Sequence, residues 1–190
     1  AERLGARPAA LGIALPGVVV EDQALGVYSE NLDWHDVDFR AAFARTLDLP
    51  IAVAHDVRAA GAAETRLGAA RGASTALVLA IGTGIATSVQ IDGRLHVGRG
   101  YAGEIGHAVV VPGGEACVCG NRGCLEATAS AEAIRRRYER DAGTEVAGSK
   151  EVFARAADGD PVAAAVRDSA FDALALGLSH AITLIVPDVV

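Results

Sequence analysis

The stretch "GEIGHAVVVPGGEACVCGNRGCLEA", residues 103–127, holds all three cysteines of this 190-residue chain. With the preceding histidine it offers four metal-ligating side chains within eighteen residues: His107, Cys117, Cys119 and Cys124. This set meets the requirement of a closed tetrahedral zinc site, and an odd cysteine count disfavours a disulfide with one spare thiol. Because the protein would fill all four positions, none is left for a zinc-bound water. We therefore expect a structural zinc, not a Lewis acid.

Two glutamates flank these ligands and leave two interpretations open. Glu104 stands three residues before His107, and Glu126 stands two residues after Cys124. They are either solvated carboxylates or acceptors for a polar ligand that the metal loop holds. His107 could serve both purposes, with one ring nitrogen on zinc and the other donating a hydrogen bond outward. Two carboxylates and an imidazole N–H would suit a polyhydroxylated ligand.

The overall composition limits the class of protein. The chain is 51% hydrophobic with only 4% aromatic residues, so its core is expected to be aliphatic. Its formal charge of −7 argues against nonspecific binding to nucleic acid or to an anionic membrane. The sequence shows no signal peptide and no apolar run of the ~20 residues that cross a bilayer. We therefore expect a cytoplasmic protein.

Hydrophobic periodicity predicts a mixture of strands and helices, and so an α/β fold. Strands are expected within 9–15, 51–54 and 76–95, the last with a Gly turn and a second tight turn at Asp92–Gly93. Helices are expected at 39–47, 57–72, 130–143 and 160–186. Ser130 and Asp160 are predicted N-caps, with Pro161 at the first helical position.

Two further motifs each have a structural and a functional interpretation. The segment "IGTGI", residues 81–85, is either an ordinary hairpin turn or a turn whose Gly82, Thr83 and Gly84 approach a phosphate. Asp56 follows a predicted strand and precedes a predicted helix. It is either a helix N-cap or a general base at the carboxyl end of a strand, where α/β sites usually lie.

Together these motifs resemble the ROK family of sugar kinases and sugar-responsive repressors. The resemblance is carried by "GEIGH" (103–107) and by the cysteine motif that continues through "GCLEA" (123–127). Supporting segments lie upstream, in the same order and spacing as in the family: "GIALPG" (12–17), "NLDW" (31–34), "HDVRAA" (55–60) and "IGTGI" (81–85).

The resemblance implies a ribonuclease-H-like fold of actin and hexokinase type, with two lobes and a structural zinc loop at 103–127. Residues 1–55 would belong to a small N-terminal lobe and residues 56–190 to a large C-terminal lobe. The reaction would be ATP-dependent phosphorylation of a hexose, as in a glucokinase, with ATP and Mg²⁺ as co-substrate and Asp56 as the general base. The residues implied in sugar binding are Asn31, His55, Glu104, His107 and Glu126. The phosphates would contact Gly82, Thr83 and Gly84, and a homodimer is expected.

The sequence also departs from the family pattern. An Asp followed by a Gly-Gly-Thr phosphate turn is expected before residue 1 and a Gly-rich adenine-binding segment after Val190, and neither is present. We therefore expect a fragment that is inactive by itself. Family kinases often have Asn before the catalytic Asp, whereas this chain has His55, as family repressors can. The alternative is the sugar-sensing domain of a repressor, which would need a preceding helix-turn-helix to bind DNA.

Overall fold

The computed structural model describes residue 5 and residues 8–29 and 32–190. Within these ranges the strands are β1 (Leu11–Leu15), β2 (Val18–Val20), β3 (Leu25–Ser29), β4 (Trp34–Asp38), β5 (Ile51–His55), β6 (Ala76–Ile81), β7 (Ile85–Ile91) and β8 (Arg94–His96). The α-helices are α1 (Phe39–Ala44), α2 (Asp56–Leu67), α3 (Leu125–Ala129), α4 (Ala131–Ala142), α5 (Ser149–Ala157) and α6 (Pro161–Ile185). Short 3-10 turns include Glu21–Gln23 and Ile105–His107. The predicted α/β class is confirmed.

The chain divides into two compact units. The first contains residues 1–78 and 88–102, and the second contains residues 79–87 and 103–190. The predicted lobe division between residues 55 and 56 falls inside the first unit and stays a prediction.

In the first unit, a parallel pair of strands precedes α2, and one of the two strands leads directly into that helix. β1 pairs with β5 in parallel, with Leu15 opposite His55 at the carboxyl ends of both strands. A second sheet of order β2-β3-β4 is antiparallel, with an irregular register between Val18 and Val19. A small aliphatic cluster in this unit consists of the buried residues Leu15, Val19, Ala24 and Val53. The chain thus leaves β5 at His55 and enters α2 directly at Asp56.

In the second unit, four helices share one core with the start of β7. Its largest fully buried side chains are Tyr138, Leu125 and Val152. The predicted caps are confirmed: the Ser130 hydroxyl accepts from the Ala133 amide. Asp160 Oδ1 accepts from the amides of Val162 and Ala163, and its Oδ2 accepts from the Tyr138 hydroxyl at 2.6 Å.

A third sheet has the order β6-β7-β8, and β7 pairs antiparallel with β8. Its tight turn at Asp92–Gly93 is confirmed, since both residues have positive φ, 50° and 71°. The helix predicted at 57–72 is shorter than expected, because α2 ends at Leu67. Among the described helices, none combines the length and the apolar character needed to cross a bilayer.

Candidate functional site

The four predicted metal ligands lie together in the second unit. One ligand atom each from His107, Cys117, Cys119 and Cys124 falls within 4.8 Å of the others. His107 Nδ1 lies 3.6 Å from Cys117 Sγ, and Cys119 Sγ lies 3.6 Å from Cys124 Sγ. The four side chains therefore converge, as the predicted metal site requires. That they hold a zinc ion stays a prediction.

Backbone hydrogen bonds fold the loop that brings these side chains together. The Cys117 amide donates to Asn121, and the Gly120 amide donates back to the Cys117 carbonyl, which makes a tight turn around Cys119. The loop closes where the amides of Val110 and Val111 both donate to the Gly123 carbonyl. Gly123 has a φ of +79°, and a Cβ there would overlap the Val111 carbonyl oxygen. Only glycine therefore fits at the closing position.

The donor set and spacing fit a zinc ion. Ligand atoms on a tetrahedron with ordinary Zn–S and Zn–N bond lengths lie about 3.4–3.8 Å apart, close to the two short distances here. Burial raises the pKa of the Cys117 thiol and raises that of Cys124 to about 12, whereas a backbone hydrogen bond at Asn121 lowers the pKa of Cys119. A thiolate at half-buried Cys117 or at buried Cys124 needs a nearby cation, because burial penalises the charged form.

The metal loop leads directly into the residues predicted to hold a sugar. Cys124 is the N-cap of α3, so Glu126 lies in the first turn of that helix. Glu126 Oε2 accepts from the Ile85 amide at 2.8 Å, immediately after the turn formed by residues 82–84. On the other side of the loop, His107 Nε2 faces Glu104 Oε2 at 4.0 Å. His107 thus turns Nδ1 to the cysteines and Nε2 to a carboxylate, and its predicted double role at zinc and at a polar ligand stays a prediction.

The predicted phosphate turn lies in the same unit and is held by backbone contacts. The Gly82 amide donates to the Gly84 carbonyl, and the Ala131 amide at the start of α4 donates to the Gly82 carbonyl. Thr83 is exposed at the tip of the turn. An exposed hydroxyl on a fixed turn is compatible with a phosphate contact, and the contact stays a prediction.

Asp56 lies in the first unit, at the first position of α2. Its N-cap interpretation is wrong, because the N-cap residue is His55, and the Asp56 carboxylate accepts from the amide of the next residue, Val57, at 2.7 Å. The side chain is 48% exposed, so the carboxylate can meet a ligand. The base role itself stays a prediction.

His55 was predicted to contact substrate, yet its side chain is only 7% exposed. Its Nε2 lies 3.5 Å from Asp56 Oδ1, while its buried Nδ1 has no hydrogen-bond partner among the described residues. Burial lowers the pKa of His55, and the nearby Arg58 lowers it further. The sugar contact stays a prediction, and the remaining sugar residue, Asn31, lies outside the described residues.

Sequence reasoning missed two residues beside Asp56, namely Glu21 and Arg58. Arg58 is 1% exposed, and its Nε donates to Glu21 Oε1 at 2.7 Å. A signal was present, since Arg58 is the one charged residue in the otherwise apolar segment 57–63. Its partner could not be found from the sequence pattern because the two residues are 37 positions apart.

Comparison with known proteins agrees with the predicted resemblance. The ROK family model matches residues 1–190. The chain is 36% identical over 195 residues to the glucokinase of Thermotoga maritima. This alignment covers 95% of this chain and 62% of that glucokinase. It is also 34% identical over 130 residues to the xylose repressor of Bacillus subtilis, covering 68% of this chain and 34% of the repressor.

A solved structure shows the same fold. The ROK family glucokinase from Streptomyces griseus in complex with glucose and AMPPNP superposes with a TM-score of 0.81 and 30% identity. The match covers 97% of this chain and 64% of that one, so the chain spans less than two thirds of both glucokinases named here. The expected actin/hexokinase-type α/β fold is confirmed. With a family model that matches every residue, the chain belongs to the ROK family.

Proposed function

We propose that the protein phosphorylates a hexose with ATP and that Asp56 is the general base. The observation that carries this proposal is the exposed Asp56 carboxylate at the β5–α2 junction, in a chain that matches a glucokinase over 95% of its length. Asp56 would accept the proton of a sugar hydroxyl while that oxygen attacks the γ-phosphorus of ATP. The bond from that phosphorus to the β–γ bridging oxygen breaks, and ADP leaves.

The second unit would supply the groups that hold the substrates. Glu104 and Glu126 would accept hydrogen bonds from sugar hydroxyls, and His107 Nε2 would donate one. Asn31 and His55 are further proposed sugar contacts. The turn formed by Gly82, Thr83 and Gly84 would contact the phosphates of ATP with its Mg²⁺. The protein would act as a homodimer.

Zinc would have a structural role in this scheme. His107, Cys117, Cys119 and Cys124 would hold the ion and so fix the loop between Glu104 and Glu126. When bound, zinc supplies four strong bonds to a short, glycine-rich segment; no step of the reaction needs it, because the protein fills every coordination position.

A coupled assay for ADP release tests the proposal and is run on the protein expressed from the complete reading frame of its gene. We expect turnover of glucose or another hexose, and Asp56→Asn should lower kcat by about a hundredfold or more while glucose binding stays measurable by calorimetry. The matched control is Asp48→Asn, which makes the same change at an exposed aspartate of the same unit. Turnover by Asp56→Asn at the rate of the wild type would refute the base assignment.

A second candidate function is sugar sensing in a repressor. It is favoured by His55 in place of the Asn expected before the catalytic Asp, and by the match to the xylose repressor. The two functions separate cleanly in the same assay. A sensor would bind a sugar and give a thermal shift, yet release no ADP.

A further inference from the structure

A buried arginine lies in the first turn of α2, two residues after Asp56. Arg58 is 1% exposed, and all three nitrogens of its guanidinium group donate hydrogen bonds. Nε donates to Glu21 Oε1 at 2.7 Å, Nη1 to the Gly100 carbonyl at 3.1 Å, and Nη2 to the Val19 carbonyl at 3.1 Å. One side chain therefore connects α2 with three other segments of the same unit.

Its acidic partner has a second hydrogen bond. Glu21 Oε1, which accepts from Arg58, also accepts from the backbone amide of His55 at 3.2 Å. A single carboxylate oxygen therefore contacts the last residue of β5 and the first turn of α2. Asp56 lies between those two contact points, so Glu21 is bonded to the backbone amide before it and to an arginine side chain after it.

Stability alone is a poor explanation for such a pair. Arg58 loses its hydration, Glu21 (22% exposed) loses part of its own, and apolar residues of similar volume often stabilise a protein as well as a buried ion pair does. What an arginine adds is direction, because its planar fork fixes the angle of each hydrogen bond. Reacting groups need this kind of support, since small displacements of a catalytic side chain cost large factors in rate.

We propose that Arg58 and Glu21 are positioning residues for Asp56. The proposal rests on the proposed kinase function and goes beyond it, because neither side chain need touch the sugar or ATP. The pair holds the β5–α2 junction so that the exposed Asp56 carboxylate keeps one orientation. Loss of either partner should lower kcat more than it raises KM, because substrate contacts are retained while the base is misplaced.

The test compares three variants of the product of the complete reading frame: Glu21→Gln, Arg58→Met, and the two changes combined. Arg58→Met should lower kcat at least tenfold, with the KM for sugar and for ATP within about twofold of wild type. Glu21→Gln should lower the melting temperature because it leaves the Arg58 charge buried without a counter-ion. The combined variant should regain much of that lost thermal stability and still keep a low kcat.

The matched control is Arg66→Met, the same change at an exposed arginine in the last turn of the same helix. It should leave kcat, KM and melting temperature unchanged. If Arg58→Met does not fold, Arg58→Lys keeps the charge but loses the fork, and it should be folded and slow.

Two results would overturn the inference while leaving the kinase function intact. The first is a folded Arg58 variant with the kcat of the wild type. The second is a combined variant whose kcat recovers together with its melting temperature, because the pair would then be purely structural. A wild-type protein that binds sugar but releases no ADP would instead remove the kinase function, and the catalytic positioning role with it.

Discussion

Gly84 and Glu126 are neighbours in space although 42 positions separate them in the sequence. A Cβ placed on Gly84 would lie 2.5 Å from Glu126 Oε2, the same oxygen that accepts from the Ile85 amide. The turn predicted to contact phosphate therefore also limits where the carboxylate of Glu126, a residue predicted to bind the sugar, can lie. This gives Gly84 a role that does not depend on phosphate.

The first prediction concerns Gly84→Ala. The added methyl group should push the Glu126 carboxylate away from the Ile85 amide, because a flexible side chain gives way more easily than the backbone. A displaced Glu126 carboxylate should lose its proposed charge-assisted hydrogen bond to a sugar hydroxyl, which contributes about 1.5 kcal/mol, or roughly tenfold in glucose affinity. Calorimetric titration with glucose in the absence of ATP measures it.

The control for this experiment is Gly82→Ala in the same turn, where a Cβ would meet nothing within 4 Å. Glucose affinity should stay at the wild-type value in this variant. Equal losses in both variants would mean that the turn, rather than the Glu126 carboxylate, is what the substitutions disturb.

The second prediction concerns the metal cluster. Elemental analysis should return about one zinc per chain, and Cys119→Ser should lower both the zinc content and the melting temperature, since metal binding contributes directly to folding. The control is Val118→Ser, because Val118 lies between two predicted ligands and is 73% exposed. A metal-free protein with undiminished thermal stability would contradict the zinc assignment.

The third prediction is a pH dependence of stability from His55. Its pKa is lowered in the folded state, chiefly by burial, so below about pH 6.5 the unfolded chain binds a proton that the folded chain does not. The stability that the neutral, buried His55 side chain contributes is therefore complete above that pH. It is lost as the pH falls towards the lowered pKa of the folded state. Urea unfolding of the wild type and of His55→Asn between pH 5 and 8 measures it. The free energy of unfolding should fall more steeply with acidification in the wild type, and parallel curves would contradict the assignment.

The sequence pattern predicted those parts of the fold that depend on local chemistry. Capping residues mark the beginnings of α4 and α6, and the four metal ligands are close together in the chain. The strands β2, β3 and β4 were missed although β3 and β4 are as long as the correctly predicted β1 and β5, at five residues each. Their hydrophobic alternation is broken, by a register shift after Val18 and by polar residues in β4.

Contacts between distant segments were beyond the reach of the pattern. The Arg58–Glu21 pair and the Ile85–Glu126 hydrogen bond join residues that are 37 and 41 positions apart. In both cases the sequence identified one participant at most. For Ile85 the donor is a backbone amide, which every residue except proline carries, so its side chain gives no indication of the contact.

Asp160 has a consequence for how the second unit opens. Helix ends normally fray at little cost, and their amides exchange with solvent first. Here one carboxylate both caps the 25-residue α6 and accepts from the hydroxyl of Tyr138, which is 1% exposed. Fraying at the start of α6 would take away the acceptor of the Tyr138 O–H in the core, although the hydroxyl oxygen still accepts from Arg155 Nη1. Hydrogen exchange at Val162 and Ala163 should therefore be as slow as in the middle of α4, so that both helices open in one cooperative event.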